Sequence, residues 1–230
     1  MAIAIIGGTG DEGFGLALRF AKAGEEVVIG SRSHEKGEAA ATNAREIVGE
    51  GARVSGTTND EAARNEVVFV TVPFAGQAEI YRSIRDSIAE GAVVCDATSP
   101  LATAVGRPAW QVLTPWEGSA AEQAKAILPK HARLVSGLQT VSGEALRDLE
   151  RPLEGDVLLS GADADAKATV GALVEKVPNL RWVDAGPLSM ARIVERFTAV
   201  LVSVNRAYGL HDAGLRVTGR DGWGAPPAKA

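Results

Sequence analysis

The stretch AIAIIGGTGDEGFG, residues 2–15, joins a short apolar run to a glycine pattern and then to a segment with helical periodicity. Gly8, Gly10 and Gly13 have the G-x-G-x-x-G spacing of loops that hold a dinucleotide. The first glycine allows a tight turn, the second lets a pyrophosphate approach the backbone, and the third lets the helix pack on the strand. Thr9 can add a hydroxyl donor to the N–H groups at the helix start. The stretch therefore predicts a strand, a phosphate-binding loop and a helix.

Two carboxylates, Asp11 and Glu12, lie within this loop. Negative charge beside a bound phosphate would repel it, whereas in the first turn of a helix it interacts favourably with the helix dipole. We therefore expect both side chains to point into water, away from the phosphates.

The end of the second predicted strand, VVIGSR at residues 27–32, indicates which dinucleotide is bound. An acid at this position would bind the adenine ribose hydroxyls and repel a 2′-phosphate, and the sequence has no acid there. Ser31 offers a hydroxyl donor, Arg32 offers a planar guanidinium for the 2′-phosphate and the adenine, and Lys36 adds a second cation. We therefore predict NADP(H) rather than NAD(H).

Short apolar runs alternate with amphipathic stretches through most of the chain. The main runs are AIAII, EVVIG, EVVFVTV, AVVCDAT and RLVSGLQTV. Their alternation with helical segments predicts an α/β fold with a Rossmann-like, doubly wound parallel sheet covered by helices. We predict an NADP-binding Rossmann domain over residues 1–143, a smaller C-terminal α/β or mostly helical domain over residues 144–217, and a disordered tail over residues 218–230.

The C-terminal part contains two more strand-like runs, DVLLSG and RWVDAG, and two predicted helices. One helix runs from about residue 163 to 176, and a longer one runs from about residue 188 to 210. Apolar residues recur at i, i+3 and i+4 along the longer helix. They are Ile193, Val194, Phe197, Val200, Leu201 and Val204. This stripe predicts a helix that packs in the core or between two subunits, and we expect a homodimer.

Composition and charge narrow the class of partner. The chain has 230 residues, a net charge of -5 and 46% apolar residues, which argues against broad binding to nucleic acid or to an anionic membrane. We expect small-molecule partners, no nucleic acid and no membrane. No run approaches the roughly 18 apolar residues that span a bilayer, and the sequence opens on a strand rather than on a basic leader. We therefore expect a cytoplasmic protein.

The cysteine and the histidines do not suggest a metal site. The single cysteine, Cys95, follows an apolar run and is expected to be a small core residue. The three histidines, His34, His131 and His211, are scattered and show no ligand spacing. A bound zinc or iron ion is therefore not expected.

The chain is also poor in acid–base candidates for other dehydrogenase chemistries. A short-chain dehydrogenase needs a tyrosine four residues before a lysine, but Tyr81 is followed at that spacing by Arg85, and Tyr208 by Asp212. A 2-hydroxy-acid dehydrogenase needs an acid–base group at the carbonyl, usually a histidine, and no histidine here stands in such a motif. We predict no catalytic residue, because hydride transfer between two cofactors needs mainly stacking and alignment.

Four segments taken together resemble one family. They are GGTGDEGFGLAL, GSR, TVPF and DAGPLSMARIVERFTAVLVSVNRAYG. The combination is similar to the NADPH-dependent reductases of coenzyme F420, a 5-deazaflavin, and the similarity extends from the first strand to about Val217. It implies a Rossmann domain, a smaller C-terminal domain, and a deazaflavin that lies in the cleft against the nicotinamide. Hydride would then pass directly between the two stacked rings.

The resemblance also implies which residues contact the cofactors. The NADP contacts would be Thr9, Gly10, Asp11, Glu12, Ser31, Arg32 and Lys36. Val72 and Pro73 in TVPF, and Thr98 in CDATSPL, end neighbouring strands at the carboxyl edge, where open α/β sheets bind ligands. In the SGLQTVSG segment, Gln139 would lie near the deazaflavin and Gly143 near the nicotinamide. Ala213 would lie near the deazaflavin ring.

Three residues at two places depart from the pattern of the family. Asp11 and Glu12 stand where the family usually has an asparagine and an apolar residue, and Gln139 stands where it often has a histidine. Two other functions therefore remain open at this point. One is an NADPH-dependent reductase of flavin, ferric chelate or another small acceptor, and the other is a non-catalytic NADP-sensing protein.

Overall fold

The computed structural model describes residues 2–219, Trp223 and Gly224. In this part of the chain, eight strands are found. They are β1 (Ala2–Ile6), β2 (Glu26–Ser31), β3 (Val54–Thr58), β4 (Val67–Val70), β5 (Val93–Asp96), β6 (Arg133–Ser136), β7 (Gly155–Gly161) and β8 (Leu180–Gly186). The predicted tail over 218–230 falls mainly on residues outside the described part.

Eight α-helices connect or cover these strands within the same described residues. They are α1 (Asp11–Lys22), α2 (His34–Val48), α3 (Asn59–Ala62), α4 (Phe74–Ile84), α5 (Ala120–Ile127), α6 (Gly143–Arg147), α7 (Ala164–Val174) and α8 (Ala191–Tyr208). Three 3₁₀ turns lie at Arg85–Ser87, Ala102–Val105 and Leu188–Met190. None of the described helices is both long enough and apolar enough to cross a membrane.

All eight strands form one sheet in the order β3-β2-β1-β4-β5-β6-β7-β8. Neighbouring strands are parallel except for β6 and β7, which pair antiparallel at Val135 and Gly161. In the centre, Ile5 of β1 pairs with Ile29 of β2 on one side and with Phe69 of β4 on the other. The strand order reverses between β1 and β4, so a crevice opens there at the carboxyl ends of the strands.

Apolar side chains on both faces of β1 explain why this strand reads as an unbroken apolar run. Ile3 and Ile5 pack in the core on the α1 side of the sheet. Ala4 and Ile6 pack on the opposite side, in the core that contains Tyr81 of α4. A parallel strand that is covered by helices on both faces has no face exposed to water, so both faces carry apolar side chains. The predicted α/β, Rossmann-like, mostly parallel fold is confirmed.

Strand β3 and the short helix α3 were not predicted, because residues 54–62 lack the apolar run of a buried strand. The residues of β3 read VSGTT and form the edge of the sheet. A Cβ at Gly56 would overlap the backbone of Gly37 in α2. The strand therefore carries small and polar residues, since α2 lies directly on it, and the periodicity of a buried strand is lost.

The C-terminal strands extend the same sheet rather than forming a second one. The predicted runs DVLLSG and RWVDAG correspond to β7 and β8, and the two predicted helices correspond to α7 and α8. Strand β6 ends at Ser136, earlier than the run RLVSGLQTV suggested, because the chain turns at Leu138 with a φ of 78°. A division into domains at residue 143 stays a prediction.

Helix α8 is held to the sheet layer by a buried carboxylate. Glu195 is 1% exposed, and it accepts hydrogen bonds from Ala120 N at 2.8 Å and Ala121 N at 3.0 Å. These N–H groups begin α5, where helical N–H groups lack partners within the helix. Burial raises the pKa of Glu195 to about 8, against the lowering effect of the two backbone bonds. The side chain therefore fixes the start of α8 against the start of α5.

Replacement of Glu195 by alanine should lower the free energy of unfolding by about 2 to 4 kcal/mol, because two buried N–H groups lose their acceptor. Glu195→Gln keeps one carbonyl oxygen and should cost less than half as much. Urea unfolding followed by tryptophan fluorescence measures both variants. Equal losses for the two would contradict this function of the carboxylate.

Candidate functional site

The glycine loop between β1 and α1 is shaped by close backbone packing. A Cβ at Gly8 would lie 2.8 Å from Ile5 O, and one at Gly13 would overlap Thr71 Oγ1. At Gly10 the nearest atom would be Gly7 O at 3.4 Å, which is an ordinary contact. The protein itself therefore requires glycine at the first and third motif positions. At the second position it leaves open space, as expected where a pyrophosphate approaches the backbone.

The start of α1 offers hydrogen-bond donors to this space. Gly10 is the N-cap, and no side chain caps the first turn among the residues described. Gly8 N donates to Gly30 O at 3.1 Å, which fixes the loop beside the end of β2. Free N–H groups at a helix start, together with the helix dipole, favour an anion. The loop therefore fits the phosphates of a dinucleotide.

A cavity of about 170 Å³ lies beside the loop. Its lining residues are Thr9, Gly10, Asp11, Phe14, Ala40, Asn43 and Arg147. Arg147 Nη1 lies 2.8 Å from Asp11 Oδ1, and its guanidinium lies 5.9 Å from the centre of the Phe14 ring. Arg147 was not predicted as a site residue, because it comes from α6, far along the chain from the glycine loop. This cation offsets the charge that made Asp11 a poor neighbour for a phosphate.

The two acids of the loop differ in their surroundings. The Asp11 side chain is 81% exposed, so its predicted position in water is confirmed. The same prediction is wrong for Glu12, whose Oε1 atom is buried and has no hydrogen-bond partner in the described structure. A Cβ at Gly143 would lie only 2.9 Å from Glu12 N, because the start of α6 covers the first turn of α1. Burial, and then the nearby Asp96 carboxylate, raise the pKa of Glu12 to about 8.

The residues predicted to select NADP(H) lie together where β2 meets α2. Ser31 is 4% exposed, whereas Arg32 and Lys36 are exposed. Ser33 caps α2 by accepting a hydrogen bond from Lys36 N at 3.4 Å. Neither cation has an ion-pair partner within the described residues. Both remain available for a 2′-phosphate, and their role as its ligands stays a prediction.

Val72 and Thr98 are brought together at the carboxyl edge of the sheet. Thr98 Oγ1 donates to Val72 O at 3.3 Å, and Thr98 N donates to Asp96 Oδ1 at 2.8 Å. Pro73 is exposed and forms the N-cap of α4. These residues therefore line the edge that begins at the glycine loop, as the strand order requires.

Asp96 fixes the end of β5 through a buried hydrogen-bond network. Tyr81 Oη and Gln77 Nε2 donate to Asp96 Oδ2 at 2.6 and 2.7 Å. Burial raises the pKa of Asp96, while the bonds from Tyr81, Thr98 and Gln77 oppose the rise. Sequence reasoning assigned no role to this acid, although an acid that ends an otherwise apolar strand is a recognisable signal.

Gln139 lies above the end of β5 and is 6% exposed. Its Nε2 donates to Asp96 O at 3.1 Å and to Ser136 Oγ at 2.8 Å. Thr198 of α8 donates to Gln139 O at 2.8 Å, which ties the loop to the long helix. The Oε1 atom of Gln139 is buried and has no partner among the described residues. An unpaired buried acceptor of this kind calls for a ligand or a water molecule.

The segment with Ala213 reaches the same region. Ala213 N donates to Asn205 Oδ1 at 2.9 Å, and Ser142 Oγ donates to His211 O at 2.7 Å. These bonds place the segment beside Gly143, next to the first turn of α1. The structure thus gathers the glycine loop and Val72, Thr98, Gln139, Gly143 and Ala213 along one edge of the sheet. Ser31, Arg32 and Lys36 lie at the β2 end of that edge, and all these ligand assignments stay predictions.

The sheet order, the loop geometry and the crevice at the switch point define an α/β protein of the dinucleotide-binding class. Residues 2–100 match the family model described as NADP oxidoreductase, coenzyme F420-dependent. An F420-dependent NADP reductase from Methanothermobacter thermautotrophicus is 42% identical over 221 residues, which cover 95% of each chain. One from Methanocaldococcus jannaschii is 38% identical over 222 residues, covering 95% of this chain and 98% of the relative. The chain belongs to the family of F420-dependent NADP reductases, and the predicted resemblance is confirmed.

Solved structures agree with this assignment. A crystal structure from Arthrobacter sp. FB24, described as a candidate F420-dependent NADP reductase, has a TM-score of 0.79 and 26% identity and covers 94% of this chain and 99% of its own. A 3-hydroxyisobutyrate dehydrogenase from Mycobacterium tuberculosis has a TM-score of 0.55 and 14% identity, with 84% of this chain and 57% of its own covered. The second likeness reflects the fold alone.

Arg32→Ala should weaken NADPH binding by about 1.5 to 3 kcal/mol, because a charge-assisted bond to the 2′-phosphate is lost. NADH has no such phosphate and should bind the variant and the parent protein equally. Quenching of protein fluorescence gives both dissociation constants. Arg64→Ala is the matched control, since Arg64 is exposed just before β4 at the opposite edge of the sheet. Equal losses for NADPH and NADH would contradict the assignment.

Proposed function

We propose that the protein is an NADP-dependent oxidoreductase that transfers a hydride between NADP(H) and coenzyme F420. The observation that carries the proposal is the open space at Gly10, where α1 starts at the switch point of the sheet. The match of residues 2–100 to a coenzyme F420-dependent family supports it. The relatives from two methanogens, named as F420-dependent NADP reductases, support the second substrate. The experiment below also distinguishes two alternative functions. One is reduction of another small acceptor, and the other is NADP sensing without catalysis.

The two substrates divide the carboxyl edge of the sheet between them. The first turn of α1 holds the phosphates of NADP(H), and Ser31, Arg32 and Lys36 hold the 2′-phosphate. Val72, Pro73, Thr98 and Gly143 border the nicotinamide end. Gln139 and Ala213 border the deazaflavin, which stacks against the nicotinamide ring.

The side chains of this protein position the rings and do not take part in the chemical step. NADPH supplies the hydride, and solvent supplies the proton that completes reduction of the deazaflavin. Asp96 is enclosed by Tyr81, Gln77 and Thr98, so this acid orients the end of β5 and is not placed to exchange protons with a substrate. Thr198 holds the Gln139 loop against α8. Alignment of two bound rings is itself a large contribution to rate.

Purified protein mixed with NADPH and coenzyme F420 should bleach the visible absorbance of the oxidised deazaflavin. Gly10→Ala is the matched control, since its Cβ has room in the protein but would occupy the space of the pyrophosphate. That variant should fold and should not bleach the deazaflavin. Turnover of FMN or riboflavin without bleaching would favour a flavin reductase, and tight NADPH binding without any turnover would favour a sensor.

The protein also forms a homodimer through the outer face of α8, and it resides in the cytoplasm. Several large apolar side chains on or beside this face are exposed. They are Trp116 at 99%, Tyr208 at 77%, Val200 at 55% and Ile193 at 54%. Arg206 lies over the Trp110 ring at 4.2 Å, so the loop before α5 and the helix form one surface. Contiguous exposed apolar patches commonly mark protein interfaces.

Val200→Glu should convert the dimer into a monomer, because it places a charge in the apolar interface. Ile47→Glu on α2 is the matched control, since Ile47 is 49% exposed and lies on a different helix. Size-exclusion chromatography with light scattering reports the mass of each variant. A monomeric parent protein, or a dimeric Val200→Glu variant, would exclude this interface.

A further inference from the structure

Arg147 reaches the glycine loop from a distant part of the chain. It is the last residue of α6, and it lines the cavity of about 170 Å³ beside the loop together with Thr9 and Gly10. Its side chain is 52% exposed, so a ligand from solvent can reach the guanidinium. Neither the sequence nor the family resemblance predicted this residue as a contact of NADP(H), because only the folded chain brings it to the loop.

Helix α6 is held tightly on α1, so the backbone that carries Arg147 has a fixed position. A Cβ at Gly15 of α1 would overlap the Leu146 side chain. Arg19 of α1 is 5% exposed and donates to Ala145 O and Leu146 O, both at 2.9 Å. Carbonyl groups at the end of a helix lack partners within it, and here the buried guanidinium supplies them. Helix α6 therefore cannot leave α1 without the loss of buried contacts.

The contacts of Arg147 use only part of its guanidinium. Nη1 donates to Asp11 Oδ1 at 2.8 Å, and the guanidinium carbon lies 5.9 Å from the centre of the Phe14 ring. A guanidinium carries five N–H donors. Within the described residues, Nε and Nη2 of Arg147 have no hydrogen-bond partner. These donors remain available to an acceptor that enters the cavity.

The chemistry of the cavity fits a phosphate group. Gly10 borders it, and at this position the backbone leaves the space that a pyrophosphate needs. Arg147 adds a planar cation that can donate to two phosphate oxygens at once, and Thr9 adds a hydroxyl group. Arg32 and Lys36, which are proposed to hold the 2′-phosphate, lie instead where β2 meets α2. Among the phosphates of NADP(H), the pyrophosphate is therefore the one that matches Arg147.

We propose that Arg147 binds the pyrophosphate of NADP(H), so that α6 supplies a cation to the glycine loop. The inference rests on the proposed function for the identity of the dinucleotide. Asp11 holds the guanidinium beside the loop through Nη1, while the other donors bind the phosphate oxygens. The pair of Asp11 and Arg147 carries no net charge, so the acid is tolerated next to the anion. Because NADP(H) and NAD(H) both contain a pyrophosphate, Arg147 adds affinity for both, whereas Arg32 selects NADP(H).

Equilibrium binding to the whole protein tests the contact without turnover. The probes are NADPH and NADH, followed by quenching of protein fluorescence, and adenosine 2′-monophosphate, which has no pyrophosphate and is followed by competition with NADPH. Arg147→Ala should weaken NADPH and NADH about tenfold, because a charge-assisted hydrogen bond is lost. The same variant should bind adenosine 2′-monophosphate within about twofold of the parent protein. Arg147→Gln, which keeps a long polar side chain without the charge, should show the same selective loss.

A double variant separates a direct contact with the phosphate from neutralisation of Asp11 alone. If Arg147 only cancelled the charge of Asp11, it would become dispensable once that charge is removed. The direct contact predicts instead that Asp11→Asn combined with Arg147→Ala binds NADPH about tenfold more weakly than Asp11→Asn does. Both variants lack the acid, so the comparison isolates what the guanidinium gives to the ligand.

Arg85→Ala is the matched control, since Arg85 is 51% exposed and pairs with an exposed aspartate, Asp86, just after α4. It should bind all three probes as the parent protein does. Equal NADPH binding by Asp11→Asn and the double variant would overturn the inference, as would unchanged NADH binding by Arg147→Ala. Loss of adenosine 2′-monophosphate to the same extent as NADPH would assign Arg147 to the 2′-phosphate and also overturn it. Failure to bleach coenzyme F420 would contradict the proposed function alone, because these binding measurements do not involve the deazaflavin.

Discussion

Close contact between α1 and the ends of β1 and β4 is the constraint on which the site depends. Thr71, just after β4, donates from both N and Oγ1 to Ile6 O, at 3.1 and 3.0 Å. A side chain at Gly13 would overlap the same Thr71 hydroxyl. Because nothing larger than glycine fits there, the helix starts directly at the switch point of the sheet. Its unpaired N–H groups then face the crevice rather than the core.

The sequence predicted the parts of this arrangement that are local. The phosphate loop could be predicted from the spacing of Gly8, Gly10 and Gly13. The cations Arg32 and Lys36 could be predicted as well, because a strand, a turn and a helix follow one another along the chain. The difference in burial between Asp11 and Glu12 could not be predicted from the sequence. These residues are adjacent on the helix and differ only in which one lies under α6, and the position of α6 is set by contacts far away in sequence.

The edge strand β3 could not be predicted from the sequence for a related reason. Its composition is determined by contact with α2, where Gly56 meets the backbone of Gly37, and not by burial in the core. Arg147 and Gln139 likewise acquire their roles from tertiary contacts, the first with Asp11 and the second with Asp96. Periodicity reports which face of an element is buried, but it does not report which distant element covers that face.

Charge is distributed unevenly along the carboxyl edge, so the two ends of the cleft differ in electrostatic potential. Arg32, Lys36 and Arg147 lie at the end where phosphates would bind, whereas the carboxyl group of Asp96 is fully buried at the end of β5. Burial raises the pKa of Asp96, and the hydrogen bonds from Tyr81, Thr98 and Gln77 oppose the rise. A dinucleotide that carries its negative charge at one end would therefore enter in one orientation. That orientation would direct the nicotinamide ring away from the cations and toward the end of β5.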